Sequence, residues 1–195
     1  MTTLSYPFSE KAVRALKAGD VVSVNGKIWT GRDRFHKHFN DGGNLPVNFR
    51  DGALYHCGPV VVPVADDPHG DAWRVVAGGP TTSARENPYE PLFIERTGVR
   101  LIIGKGGMNA NVRAACEHCG AVYLQAVGGA AAVTAQAIKR VTNVYFLKEF
   151  GAAEACWEFL VEDFRCVVGI DSHGVSLFEQ IQRESAAQFE QLIRG

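Results

Sequence analysis

The chain has 195 residues, 46% of them hydrophobic, and a formal net charge of −1. This size and apolar content predict a single domain, residues 1–195, with a substantial core, and the balanced charge argues against nucleic acid or a membrane surface as a partner. The first eight residues lack the layout of a signal peptide, and no apolar run reaches the ~18 residues of a membrane span, so we expect a cytoplasmic protein.

The N-terminal part is predicted to contain two short helices separated by a β-hairpin. Ser9 to about Ala18 has the capping serine and the spaced apolar residues of a helix. Val21 to Trp29 predicts a hairpin whose turn is Asn25-Gly26. A helix capped by Asp33 and running to Phe39 is expected next. Arg32 would then lie at a strand-to-helix junction, where side chains often serve a site.

The middle of the chain alternates apolar strands with turns. Leu54 to Val62 predicts a strand that Gly58-Pro59 interrupts, and Asp66 to Gly70 predicts an exposed turn. A further strand, Trp73 to Ala77, runs into the sharp turn Gly78-Gly79-Pro80.

The second half predicts a parallel βαβ core. Asn87-Pro88 begins a helix that reaches Arg96, and strand Val99 to Ile103, helix Asn111 to His118 and strand Val122 to Ala126 follow in alternation. An alanine-rich helix to about Ile138 comes next. It is followed by strand-like segments at Val144 to Leu147, Ala155 to Val161 and Cys166 to Ile170, and by an amphipathic C-terminal helix with Phe178, Ile181, Ser185, Phe189 and Leu192 on one stripe.

Two glycine-rich turns carry the strongest functional signal. The first, Gly78 to Arg85, offers three hydroxyls and several backbone N–H groups beside a basic side chain, which suits an anion. The second, Gly104 to Met108, holds the Lys105 ammonium between glycines. The spacing excludes a P-loop and a dinucleotide fingerprint, and two solvated surface turns remain the alternative. Arg32, Arg85 and Lys105 have no local acidic partners of obvious use, and if these three cations converge, the site would suit a small dicarboxylate.

Other polar clusters have structural explanations. Cys116 and Cys119 have a metal or redox spacing, but no second pair accompanies them, so we expect packed, reduced thiols. Asp171 is interpreted as a turn cap, whereas the role of His173 stays open. His56, on an apolar strand, is interpreted as a core histidine. With no adequate acid–base pair, the chain alone looks like half of an active site.

Five motifs occur in order between Val21 and Phe178. They are Thr30 to His36, Tyr55 to Pro59, Gly79 to Arg85, Gly104 to Met108 and Ile170 to Gly174. Together they resemble the β subunit of class I, iron–sulfur fumarate hydratase, which is related to the β subunit of L(+)-tartrate dehydratase. The resemblance implies a swivelling β/β/α domain, an α/β fold with a mixed sheet, consistent with the βαβ core predicted above.

The resemblance also implies a partner and an activity. An α subunit would supply three cysteines to a 4Fe–4S cluster, this chain would contribute no metal ligand, and the assembly would be α2β2. The implied reaction is the reversible hydration of fumarate to (S)-malate, a hydro-lyase step of the tricarboxylic acid cycle that requires the α subunit. Dehydration of L(+)-tartrate to oxaloacetate, or a non-catalytic anion-binding scaffold, are the alternatives.

Carried over by motif, Arg32, Arg85, Lys105 and Thr82 would bind the substrate, and Arg32 and Lys105 would also act in catalysis. Thr81 would lie close to the reacting carbon. A threonine hydroxyl needs a neighbouring cation to lower its pKa before it can transfer a proton. His36 and His173 are additional candidates for this site.

Overall fold

The computed structural model describes residues 1–65 and 72–194. The strands are β1 (Thr2–Ser5), β2 (Val21–Thr30), β3 (Ala53–Tyr55), β4 (Val60–Pro63), β5 (Trp73–Ala77), β6 (Leu101–Gly104), β7 (Val122–Gln125), β8 (Ile138–Tyr145) and β9 (Cys156–Ile170). The helices are α1 (Glu10–Arg14), α2 (Asp33–Asn40), α3 (Glu90–Thr97), α4 (Ala110–Cys119), α5 (Ala131–Ala137), α6 (Leu147–Phe150) and α7 (Leu177–Arg194), with a 3₁₀ turn at Ser83–Glu86. The predicted turn at Asp66 to Gly70 lies outside the described residues.

Five strands close into a small barrel. They follow the order β2-β3-β6-β7-β9, and β9 pairs back onto β2. The strands β2, β3, β6 and β7 are parallel to their neighbours, whereas β9 runs antiparallel to both β7 and β2. β1 and β8 extend the sheet, and β4 and β5 form a separate two-stranded sheet. The fold is therefore mixed α/β, and α4 connects the parallel strands β6 and β7 as predicted.

Both faces of the central strands are buried. Leu101 and Ile103 belong to one apolar cluster together with Trp157, whereas Ile102, between them, belongs to a second cluster beneath α2, α3 and α4. Side chains alternate across a strand, and a strand covered on both faces reads as an unbroken apolar run. This explains why these segments were recognisable as strands in the sequence.

The predicted hairpin at Asn25-Gly26 is wrong, because Val21–Thr30 is one continuous strand. Its two halves pair with β9 rather than with each other, and the register shifts between Val24 and Gly26. Gly26 has φ +97°, and a Cβ there would lie 2.8 Å from the Cβ of Tyr6. Asn-Gly supplies the positive φ that both a hairpin turn and a β-bulge need, and here it forms a bulge under β1.

Other boundaries also differ from the prediction. α1 ends at Arg14 rather than near Ala18, and Arg32, not Asp33, occupies the N-cap of α2. The predicted strand from Leu54 splits at Gly58 into β3 and β4, which belong to different sheets. The predicted segments from Ala155 and Cys166 form the single strand β9. β8 begins at Ile138, directly after α5.

The C-terminal helix is present, but most of its apolar stripe is exposed. Phe178 packs against Tyr123, with ring centroids 6.1 Å apart. Ile181, Phe189 and Leu192 are exposed. No described helix has both the length and the apolar character that crossing a membrane requires.

Gly26→Ala should destabilise the protein more than Gly19→Ala, its matched control. Both glycines have nearly the same positive φ, +97° and +95°, but a Cβ at Gly19 would meet nothing within 4 Å. Left-handed strain alone should cost about 1–2 kcal/mol at either site, and the overlap with Tyr6 should add about 1–3 kcal/mol at Gly26. Urea denaturation of the two variants measures the difference, and equal losses would contradict this account of the bulge.

Candidate active site

The carboxyl ends of β3, β6 and β7 meet at one rim of the barrel. β3 leads into His56, β6 into Lys105 and β7 into Ala126. The His56 N–H donates to Ile103 O at 2.8 Å, and the Ala126 N–H donates to Gly104 O at 2.8 Å. Ligand sites in α/β sheets form at this end of the strands, so this rim is the expected position of an anion site.

The loop from Thr81 to Arg85, the anion loop, crosses this rim. The Thr81 N–H donates to His56 O at 2.7 Å, and the Ser83 N–H donates to Lys105 O at 3.0 Å. Thr82 and Lys105 also form a parallel β-bridge. The two glycine-rich turns therefore lie side by side.

The Lys105 ammonium is available to a ligand. The residue is half-buried, and its backbone N–H donates to Ser83 Oγ at 3.2 Å. Among the residues described, its ammonium has no hydrogen-bond or ion-pair partner. Its stem passes Gly128, where an added Cβ would lie 3.5 Å from Lys105 Cδ. A cation at a strand end without a protein partner is suited to a carboxylate.

Arg32 and Arg85 have acidic partners, contrary to the sequence expectation. Arg85 forms a bidentate ion pair with the Asp33 carboxylate, through Nη2 at 2.8 Å and Nε at 3.1 Å. Arg32 lies 3.3 Å from Glu154 and 3.9 Å from the same Asp33 carboxylate. The pairs arise because α2 starts directly after Arg32 and its first turn faces the 3₁₀ turn that carries Arg85. Asp33 thus brings the two arginines together.

Arg32 still has an unused donor. Its Nε is buried without a hydrogen-bond partner, while its Nη1 donates to Ala153 O at 3.4 Å. A Cβ at Gly58 would lie 2.5 Å from Nη1, so only glycine leaves room for this side chain. Sequence analysis read Gly58-Pro59 only as a strand break. An orphaned guanidinium donor is costly unless an acceptor arrives, which is a further reason to expect an anion here.

A buried polar network lies directly beneath the rim. Glu90 Oε2 lies 3.0 Å from His36 Nε2 and 2.9 Å from His56 Nε2. His56 Nδ1 lies 2.9 Å from Ser83 Oγ, and the Tyr123 hydroxyl donates to the same Oγ at 3.1 Å. Both histidines, Ser83 and Glu90 are fully buried. His56 is therefore a satisfied core histidine, as expected, but one that is bonded to the anion loop.

The hydrogen bonds assign the protons in this network. His36 contacts Arg32 O at 2.9 Å through Nδ1 and the Glu90 carboxylate through Nε2. Both partners accept, so both ring nitrogens of His36 donate and the ring is a cation. His56 donates to Glu90 through Nε2, and its Nδ1 accepts from the Ser83 hydroxyl, so this ring is neutral.

The pKa shifts agree with this assignment. Burial by itself lowers the pKa of His36, but the charge and hydrogen bond of Glu90 raise it to about 9. Burial dominates at His56 and lowers its pKa. For Glu90, burial raises the pKa, and the two histidines outweigh it and bring the pKa to about 2. The sequence alone did not indicate Glu90, because a glutamate beside Pro91 at the start of a helix is an ordinary feature.

Ser83, His56 and Glu90 are aligned like a nucleophilic triad, but their burial argues for a structural role. A triad serine must reach a substrate, whereas Ser83 is 0% exposed. Both lone pairs of its Oγ are already used, by the Lys105 N–H and the Tyr123 O–H. The alignment therefore serves to hold the loop.

The same cluster is the one group of possible metal ligands found in the described residues, since the ligand atoms of His36, His56 and Glu90 lie within 4.8 Å of one another. The imidazolium and the carboxylate already neutralise each other, and every short contact is a hydrogen bond. No cysteine belongs to that group. Cys116 packs in the cluster beneath the helices, and burial raises its pKa, so the described thiols of this chain do not fit the ligand set of an iron–sulfur cluster.

The remaining candidate, His173, lies at the opposite end of the barrel. β9 runs antiparallel, so Ile170 pairs with Tyr123 near the start of β7. His173 Nε2 contacts Arg14 O at 2.8 Å. Asp171 accepts from the backbone N–H groups of Ala18, His173 and Val175, which confirms it as a turn cap. The structure does not bring His173 together with the cations of the rim.

Comparisons with known proteins give a consistent family. The family model described as "Fumarase C-terminus" matches residues 2–181. The chain is 46% identical over 189 residues to a Geobacillus stearothermophilus protein named "Putative fumarate hydratase class I", covering 97% of the chain and 36% of that protein.

Two further relatives carry a different name. Identity is 41% over 198 residues to the "Putative L(+)-tartrate dehydratase subunit beta" of Methanocaldococcus jannaschii, covering 97% of the chain and 99% of the relative. It is 30% over 192 residues to the "L(+)-tartrate dehydratase subunit beta" of Escherichia coli K12, covering 97% and 92%. The chain thus spans about a third of the first relative (36%) and nearly all of the other two.

Glu86→Gln should flatten the dependence of stability on pH. Glu86 is fully buried, and neither carboxylate oxygen has a hydrogen-bond partner, although His36 Nδ1 lies at 3.3 Å. Burial, followed by repulsion from Asp33, Glu90 and Glu154, raises its pKa from 4.5 to about 7, against an opposing effect of His36. The folded protein therefore binds this proton more tightly than the unfolded chain does. As a result, stability falls as pH rises from about 4.5 to about 7.

The measurement is the free energy of unfolding in urea at pH 5, 6, 7 and 8. The change caused by Glu86→Gln should be more favourable at pH 8 than at pH 5. Glu95→Gln, at an exposed position on α3, is the control and should follow the wild-type slope. If Glu86→Gln also kept that slope, the carboxyl would not be titrating in this range.

Proposed function

The chain belongs to the Fumarase C-terminus family, and we propose that it is the β subunit of a class I fumarate hydratase. It would catalyse the reversible hydration of fumarate to (S)-malate, a step of the tricarboxylic acid cycle, in a cytoplasmic α2β2 complex. Its barrel would be the swivelling domain that closes over the active site. The α subunit would hold a 4Fe–4S cluster through three of its own cysteines.

The single observation that supports this most strongly is the arrangement at the rim. The ammonium of Lys105 lacks a partner among the residues described, and Arg32 keeps a buried, unused Nε donor. Arg85 has a half-exposed side chain that shares the Asp33 carboxylate with Arg32. A substrate with two carboxylates could meet these cations with charge-assisted hydrogen bonds, which are about twice as strong as neutral ones.

Each residue at the rim has a proposed task. Lys105 binds one carboxylate, and Arg85 binds the other in exchange for part of its contact with Asp33. Thr82, which is exposed beside Lys105, adds a hydroxyl contact. The Thr81 hydroxyl would face the reacting carbon and hold the proton that is added or removed there, and the cations of Arg32 and Lys105 would stabilise its alkoxide form. When bound, the cluster supplies a Lewis acid for the hydroxyl group that is gained or lost.

A partner is proposed because the carboxyl groups of this chain around the rim are already ion-paired or buried. Among the residues described, Asp33 and Glu154 are paired with arginines, while Glu86 and Glu90 are fully buried. In this arrangement each of the four carboxyls is either ion-paired or buried. We therefore propose that the α subunit supplies the second proton-transfer group.

L(+)-tartrate dehydration to oxaloacetate is the second candidate. It is supported by 41% identity to a relative named for that activity along 99% of its length. Tartrate carries one more hydroxyl than malate, so a site that hydrogen-bonds it can discriminate strongly. A non-catalytic, anion-binding scaffold subunit, whose basic loops only hold a dicarboxylate for its partner, is the third reading, and it differs from both in predicting that turnover by the complex survives loss of these cations.

The deciding assay is turnover by the complex purified anaerobically with its partner. Fumarate loss is followed by ultraviolet absorbance, and L-tartrate is tested in parallel. Fumarate turnover supports the hydratase, and tartrate turnover alone moves the proposal to the dehydratase with the same site residues. A complex that contains its cluster and converts neither substrate would contradict both.

Lys105→Met should reduce kcat/KM for fumarate by about 30-fold or more, because loss of a charged substrate contact costs about 2–5 kcal/mol. Lys11→Met is the control, since Lys11 is an exposed residue of α1 near the opposite end of the barrel. It should keep wild-type kinetics. Full activity of Lys105→Met in an intact complex would favour the scaffold reading.

His173→Ala should leave kcat/KM within about twofold of wild type, although His173 lies in one of the motifs of the resemblance. Its ring contacts Arg14 O and lies far from the rim cations along the barrel. Steady-state assays of the purified complex, together with a melting curve, separate an effect on catalysis from an effect on stability. A large fall in kcat with an unchanged Tm would show that the site extends to His173.

A further inference from the structure

We propose that Glu90 is a positioning residue that holds the two halves of the substrate site, Arg32 and the Ser83–Lys105 junction, in a fixed relation. The proposal rests on the proposed function of the rim. Glu90 itself is fully buried and touches no substrate. It acts through two histidines that share one of its oxygens.

The first arm runs from Glu90 through His56 to the anion loop. Glu90 Oε2 accepts from His56 Nε2 at 2.9 Å, and His56 Nδ1 accepts from Ser83 Oγ at 2.9 Å. Ser83 Oγ then accepts the backbone N–H of Lys105 at 3.2 Å. The backbone O of His56 also accepts the Thr81 N–H at 2.7 Å. His56 therefore contacts the loop on both sides of Thr82, through its ring at Ser83 and through its backbone carbonyl at Thr81.

The second arm runs from the same oxygen to Arg32. Glu90 Oε2 accepts from His36 Nε2 at 3.0 Å, and His36 Nδ1 donates to Arg32 O at 2.9 Å. Arg32 occupies the N-cap of α2 and lacks a capping side chain. The His36 contact consequently holds the junction from which the guanidinium extends to the rim.

The carboxylate charge is needed for both arms at once. His36 must donate from both nitrogens, so it is an imidazolium, and a buried cation requires a compensating anion. With glutamine at position 90, His36 Nε2 would no longer face a carboxylate, and Glu86, 3.3 Å from Nδ1, would be the remaining anion beside the ring. The bond from Nε2 to residue 90 would be weakened or lost. Ser83, His56 and Arg32 would then no longer form one connected unit, and misplacement of about 1 Å can cost about 100-fold in rate.

Glu158 provides a matched control. It is also buried, at 7% exposure, and accepts from Trp29 Nε1, Thr142 Oγ1 and Lys27 Nζ. None of these partners is a proposed site residue. Glu158→Gln should therefore report the cost of neutralising a buried carboxylate without disturbing the rim.

The test compares wild type, Glu90→Gln and Glu158→Gln in the purified complex with fumarate. Glu90→Gln should lower kcat/KM at least tenfold, with most of the loss in kcat, because the cations still attract the carboxylates while their alignment is lost. Glu158→Gln should lower Tm but keep kcat/KM within twofold. Equal kinetic effects of the two variants at equal loss of Tm would overturn the proposal. Ser83→Ala, which removes one arm without changing charge, should lower kcat about three- to tenfold and decides the question if Glu90→Gln does not fold.

A second readout does not depend on turnover. Amide hydrogen exchange of the full chain is followed in peptides covering residues 80–86 and 104–108. Both should exchange at least tenfold faster in Glu90→Gln than in wild type, and remain unchanged in Glu158→Gln. If the wild-type complex converts neither fumarate nor tartrate, the proposed function fails, and the exchange data alone decide the positioning role. Unchanged exchange in Glu90→Gln would overturn it.

Discussion

Closure of the barrel by β9 is the constraint on which the rest of the structure depends. This 15-residue strand pairs with β2, β7 and β8, and by returning to β2 it leaves the parallel strands no freedom to splay. The carboxyl ends of β3, β6 and β7 are consequently held at one rim. Lys105 directly follows β6. The loop from Thr81 to Arg85 follows β5 of the separate sheet, and its hydrogen bonds to His56 and Lys105 hold it at the same rim.

The polar network under that rim has an energetic cost that the fold must offset. Burying an imidazolium and carboxylates is unfavourable unless each is paired and hydrogen-bonded, and here Glu86 and the second oxygen of Glu90 lack hydrogen-bond partners. If stability were the only requirement, apolar side chains of the same volume would be better at these positions. Retaining buried charges beside a candidate site is typical of proteins in which stability is exchanged for the geometry of function.

The ion pairs at the rim can be exchanged for contacts with a ligand. Asp33 holds Arg85 with two hydrogen bonds and stands close to Arg32, so the arginines are ordered before a ligand arrives. Arg85 is half-exposed, where an ion pair is worth only about 0–1 kcal/mol, so a substrate carboxylate can compete with Asp33 for it. The Lys105 ammonium, in contrast, has no described partner to lose. Ordering without strong pairing is a useful starting state for a site that binds an anionic ligand.

The sequence by itself determined the local structure and the chemistry of the loops. Apolar runs such as Val99 to Ile103 predicted strands, and the glycine-rich turns predicted an anion site, because these signals depend on residues adjacent in the chain. Tertiary structure alone decided that Asn25-Gly26 forms a bulge, that β9 is one strand, that Asp33 pairs with Arg85, and that Glu90 joins two histidines from distant segments. Each of these depends on which partner lies opposite in space, and in the last case on burial that turns an ordinary glutamate into the centre of a network.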